Sequence, residues 1–138
     1  MDVFTISLEG DNIVLPKPQD YLQDNEFVIS FLNTWFNNIN NGVLALTSYS
    51  YIDNRIIHAD IIFNKDNFTF VVNPDSQSRD VDLESVLVHE LGHFLGFKHV
   101  DSSIDSIMNA QLQSGEKKRD LTIKDIELIK IKYDDVVN

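Results

Sequence analysis

The sequence predicts a single α+β domain, residues 1–138, in which strands and helices share one core. Three observations point there. The periodicities along the chain read β-α-β-β-β-α-loop-α. No repeat, low-complexity tract or linker divides that order. With 138 residues, 43% of them apolar, the chain is long enough to bury one real core.

Val3 to Leu8 reads as a strand, because Phe4, Ile6 and Leu8 alternate. Pro16 and Pro18 mark a loop. From Asp24 to Asn40 the apolar residues Val28, Leu32, Trp35, Phe36 and Ile39 fall at helical spacing, with Asn40-Asn41-Gly42 as the stop. A helix is the preferred reading there, and the β-rich run Phe27-Val28-Ile29 leaves a strand as the alternative. Val43–Ile52 and Arg55–Asn64 read as two strands joined by a short turn at Asp53-Asn54. Phe68 to Val72 is a further short strand, and residues 73–81 are a polar loop. A helix then starts at Asp82, a good N-cap, with Glu84 at the positive end of its dipole. Leu83, Leu87, Leu91 and Leu95 give it an apolar stripe expected to face the core. After a polar stretch around Ser114-Gly115-Glu116, Thr122 caps a last helix running to about Tyr133, with Asp125 three residues on.

The chemistry concentrates in His89-Glu90-Leu91-Gly92-His93-Phe94-Leu95-Gly96-Phe97-Lys98-His99. This is H-E-x-x-H-x-x-G-x-x-H, a zinc signature whose five specified positions make a chance match rare in a short chain. The chain has four histidines, and three of them lie here. On a helix, residues four apart stack on one face, so His89 and His93 address one point. Gly96 lets the backbone leave the helix through the left-handed region, and the turn returns His99 as a third ligand. Three imidazoles suit Zn²⁺ and leave a fourth position for water, as catalytic sites do. Glu90 sits at the edge of that site as a candidate general base.

Nine residues past His99 comes Met108, in Ser106-Ile107-Met108-Asn109. With it the chain resembles the metzincin clan of zincin fold, which implies a mixed, twisted β-sheet packed on helices, and within that clan the matrixins of the peptidase M10 type, especially compact bacterial ones. The resemblance runs from about Leu44 to Tyr133. It takes in Arg55-Ile56-Ile57-His58-Ala59-Asp60-Ile61-Ile62-Phe63-Asn64, Asp82-Leu83-Glu84-Ser85-Val86 and Leu121-Thr122-Ile123-Lys124-Asp125-Ile126-Glu127-Leu128-Ile129. It implies a secreted zinc endopeptidase with one catalytic zinc on His89, His93 and His99, Glu90 as base and Met108 as the turn methionine. It also implies a protein or peptide substrate bound in extended form along a sheet edge, for which the region Phe63 to Val72 is the candidate. Asn109, Ala110, Gln111 and Leu112 would wall the pocket for the side chain just after the scissile bond, and an apolar preference is expected there. Many matrixins carry a proline and a tyrosine in this segment, and this chain has neither. The second, structural zinc of the animal enzymes needs further histidines; His58 alone reads as an ordinary strand residue.

Two other classes are open: a zinc-containing module that binds peptides without cutting them, and a zinc hydrolase of a non-peptide amide. Intact Glu90 argues against the first, and the full motif against the second. The net charge of −11, from 22 acidic and 11 basic residues, opposes nucleic-acid binding. It leaves calcium binding by Asp80, Asp82, Asp101 and Asp105 as an expectation set against ordinary solvated loops. No run of eighteen apolar residues predicts a membrane span, and no basic-then-apolar leader opens the chain. There is no cysteine for a disulfide or for a thiol that would hold the metal latent. A small acidic domain of this kind is expected to be monomeric.

Overall fold

The computed structural model describes residues 2–7, 27–53 and 55–134. In chain order these form β1 (Asp2–Ser7), β2 (Phe27–Leu32), β3 (Val43–Ile52), β4 (Arg55–Asn64), β5 (Phe70–Val71), β6 (Val81–Asp82), α1 (Leu83–Phe94), β7 (Gln111–Gln113) and α2 (Ile123–Tyr133). Five strands make one sheet in the order β2-β4-β3-β1-β7. It is mixed: β1 runs parallel to β3 and β2 parallel to β4, while β3–β4 and β1–β7 are antiparallel. The expected α+β plan with a mixed sheet is therefore present. Leu8, Pro16, Pro18, the residues Asp24 to Glu26 and Asn54 lie outside the described residues.

The β3–β4 hairpin keeps the bounds its alternation predicts, and Asp53 takes a φ of 50° at the turn, a region aspartate tolerates. The helix expected up to Asn40 is not formed. Phe27–Leu32 is a strand whose exposure alternates residue by residue, paired from Phe27↔Ala59 to Leu32↔Asn64. Tertiary pairing overrides a helical spacing here. Phe31 stacks on Phe63 with ring centroids 4.9 Å apart, and Asp60 Oδ1 accepts from the Val28 amide at 3.0 Å. Trp35, Phe36 and Ile39, three of the five residues in that spacing, are buried from irregular turns instead.

The sheet has apolar packing on both faces, as the β4 alternation requires. Ile61 and Phe63 join Leu44, Val81, Val86 and Leu112 in one cluster; Ile62 joins Trp35, Phe36, Ile39 and Leu46 in the other. The first cluster lies under α1. Asp82 caps that helix by accepting from the Ser85 amide at 3.1 Å.

The face α1 presents to the sheet is only in part its leucine stripe: Leu83 and Leu87 pack against the first cluster as expected, and Leu91 and Leu95 do not. Ser85, Val86, His89, Glu90, Gly92 and His93 are buried, whereas Leu91 and Leu95 are 42% and 38% exposed. The motif itself is the inward face, because Glu90 reaches β3. Leu91 and Leu95 turn toward α2, across a cavity of about 150 Å³ that they line with Met108, Leu128 and Ile129. The region Phe63 to Val72 is likewise not a free edge of the main sheet. β4 has neighbours on both sides, and β5 pairs with β6 in a ladder of its own. Among the described residues the sheet ends on β2 and β7.

Candidate metal centre

His89 and His93 project from adjacent turns of α1, and the chain after the helix brings His99 to meet them. Gly96 makes the turn at φ +84°, and its carbonyl accepts from Lys132 Nζ at 3.0 Å. The amide of Phe97 bonds Gly92 O at 3.0 Å, which fixes the exit of the chain. His99 Nε2 then lies 3.2 Å from His89 Nε2 and 3.1 Å from His93 Nε2.

Those contacts have a clear chemical meaning. His89 Nδ1 lies 2.7 Å from Ile107 O, and His93 Nδ1 lies 2.8 Å from Phe97 O. Carbonyl oxygens only accept, so each Nδ1 carries the proton and each Nε2 presents a lone pair. With the His99 proton on Nδ1 as well, three lone pairs face one another at this range, and they repel unless a cation lies between them. A tetrahedral ion with nitrogens at 2.0–2.1 Å would set them roughly 3.3–3.4 Å apart, close to the spacing seen. The donor set thus fits one zinc ion, and the carbonyls behind it are the outer partners such ligands require. Burial, together with the neighbouring imidazoles, pushes His89 down to about 3, and burial also lowers His99. Neutral imidazole is the form a metal needs.

Glu90 is wholly buried beneath this group. Burial pushes its carboxyl up to about 8, against a Thr47 hydroxyl that donates to Oε2 at 2.6 Å and acts in the other direction. A cation at the imidazoles would also act to lower it. Among the described residues, Glu90 Oε1 has no hydrogen-bond partner.

Met108 is buried under the helix, where a Cβ in place of Gly92's hydrogen would overlap Met108 Sδ. The turn carrying it hangs on Asp125 at the head of α2. That carboxylate accepts from Ser106 Oγ, from Ile107 N at 3.1 Å and from Thr122 N at 2.9 Å, closing the capping box with Thr122. Through Ile107, the same carboxylate steadies the carbonyl that orients His89.

Residues 25–134 match the family model described as matrixin, of the peptidase M10 type. The chain belongs to the matrixin family. It is similar to metalloendoproteinase 2-MMP of Arabidopsis thaliana, 51% identical over 53 residues, which is 38% of this chain and 14% of that protein. Metalloendoproteinase 1-MMP of Arabidopsis thaliana is 36% identical over 89 residues, covering 62% and 23%. Metalloendoproteinase 4-MMP of Arabidopsis thaliana is 29% identical over 117 residues, covering 79% and 33%. This matrixin thus aligns with at most 33% of the length of these relatives. No solved structure matches it.

In this matrixin, Asn109, Ala110, Gln111 and Leu112 run along a small pocket beside His89. Lys118 is in the same pocket, which nothing in the sequence pattern signals. Nor does any local spacing tie Thr47 to Glu90, 43 residues away. Asp82, named above as a calcium candidate, is already committed. Both its oxygens take Arg119, at 2.8 and 2.6 Å, and Oδ2 also takes the Ser85 hydroxyl at 2.6 Å. Among the described residues, the histidine triad is the one close group of three side chains of metal-ligating type. Among them, too, no helix is long and apolar enough to cross a membrane.

The Asp82–Arg119 pair makes a prediction in acid. Burial alone would raise the Asp82 carboxyl; Arg119 and Ser85 outweigh it and bring it down to about 2, from an ordinary 3.8. A depressed carboxyl contributes stability that is present above its ordinary value and lost as pH falls to its folded value. The contribution is lost between about pH 4 and pH 2. Urea unfolding at pH 5, 4 and 3 should therefore show Asp82→Asn well below the native protein at pH 5, with the gap closing in acid. A gap that stays constant would show that the pair does not act this way.

Proposed function

We propose that this matrixin is a zinc-dependent endopeptidase that hydrolyses peptide bonds in extended protein or peptide segments. The observation that carries the reading is the convergence of the three imidazole nitrogens beside a buried carboxylate with one oxygen left without a partner. When bound, zinc supplies Lewis acidity, which polarises a carbonyl and makes water a usable nucleophile near neutral pH. His89, His93 and His99 would hold it. Ile107 O and Phe97 O fix the first two rings in the donating tautomer. Glu90 takes the proton of the attacking water on its free oxygen and returns it to the leaving amine, while Thr47 keeps the other oxygen in place. Met108 acts as the turn methionine, packed beneath the helix at Gly92. Calcium has no part in this reading. An extracellular setting goes with it, from family membership.

The test is hydrolysis of casein or gelatin by zinc-loaded protein, with a chelated control. Cleavage that stops on chelation and returns with zinc is the expected result. A protein that holds one zinc per chain and binds these substrates without cutting them would be a binding module instead. Loss of the reading altogether would follow if no transition metal stayed bound after gentle purification and zinc addition.

A further inference from the structure

The pocket beside His89 contains a cation that neither the motif nor the family resemblance explains. Lys118 lines it with Ser85, Asn109 and Gln111. The backbone holds Lys118 there: its amide donates to Ser85 Oγ at 2.7 Å, and Ser85 is in the first turn of α1. Its ammonium donates to Asn109 Oδ1, a neutral amide oxygen. A carboxylate would be the stronger acceptor. Among the described residues none fills that role. Asp82 is taken by Arg119, and Glu116 accepts from the Gln113 amide.

The pocket is also shallow. Its volume is about 10 Å³, which is room for roughly one water. A leucine or phenylalanine side chain would have to displace Lys118 or bury its charge against carbon, which is unfavourable. An acidic side chain of similar size meets the same limit of space, but its carboxylate replaces Asn109 Oδ1 on the ammonium as the stronger acceptor, so charge and not size discriminates.

Resting on the endopeptidase reading above, we infer that Lys118 determines specificity and selects substrates with an acidic residue, aspartate or glutamate, directly after the scissile bond. This replaces the apolar preference expected from the sequence. The cation is a local feature of an acidic molecule of net charge −11, so discrimination would come from this contact and not from the overall field.

The experiment uses zinc-loaded protein and a peptide set that varies only at that residue, with Asp, Glu, Leu, Phe and Lys. The native protein should cleave the Asp and Glu peptides at least about tenfold faster in kcat/KM than the Leu peptide. Lys118→Met should erase that ratio, and Lys118→Glu should turn it toward Lys, with zinc content unchanged in both. Preference for Leu or Phe in the native protein, or an acidic preference that survives Lys118→Met, overturns the inference. If no peptide is cut although zinc is bound, the endopeptidase reading fails by itself. Lys118 is then judged by fluorescence anisotropy of the Asp and Leu peptides. Tighter Asp binding, lost in Lys118→Met, supports its role as an acid-selecting contact, and equal affinities overturn it.

Discussion

Glu90→Gln is expected to keep the fold and the metal and to lower turnover by about 10²–10⁴-fold. The amide is nearly isosteric with the carboxylate, and its oxygen can still accept the Thr47 hydroxyl that now sits 2.6 Å from Oε2. Burial at this position penalises a charge, so removing the charge gives no reason for the fold to weaken. What the amide cannot do is take a proton. The measurement is kcat on a casein-derived peptide, with zinc per chain and thermal unfolding recorded on the same sample. Near-native kcat in a pure, zinc-replete variant would remove Glu90 from the role of base.

His99→Ala should weaken zinc binding by more than roughly 100-fold and abolish turnover with it, since losing even an outer partner of a ligand costs 10–100-fold. His99 is the exposed member of the triad and stands outside the helix. Its removal leaves the ring bonds of His89 to Ile107 O and of His93 to Phe97 O intact. Two imidazoles on one helix face remain, and they make a poorer site than three. Competition with a chromophoric chelator measures the affinity, and far-ultraviolet circular dichroism checks that α1 persists. Native-like affinity in this variant would show that the metal is held elsewhere.

What the sequence made legible was local. The α1 cap at Asp82, the positive φ of Gly96, the β3–β4 hairpin and the Thr122–Asp125 box each depend on residues within a few positions of one another, and each could be read from spacing. The grouping of His89, His93 and His99 was legible for the same reason. Residues Phe27–Leu32 were misread because helical spacing of apolar side chains competes with a strand that only its partner β4 can settle, 32 positions on. The inward face of α1 was read correctly at Leu83 and Leu87 and misread at Leu91 and Leu95, because a leucine stripe normally marks the core along its whole length. Here a glutamate and two histidines are buried, each with a partner supplied by another element or by the chain beyond the helix. Thr47, Lys118 and Asp125 gain their contacts with the site across 43, 33 and 18 residues, distances over which no periodicity speaks.

The carbonyls that end α1 are held from α2: Gly96 O by Lys132 and Leu95 O by Tyr133, at 3.0 and 2.6 Å. Tyr133 follows Leu95 by 38 positions. At 5–20 residues per second, a ribosome adds it roughly two to eight seconds later. All three histidines have been translated before the lysine and tyrosine that clamp the helix end. A nascent chain thus possesses its ligands before it possesses their clamp, and the finished geometry of the centre is a late event in the making of the molecule.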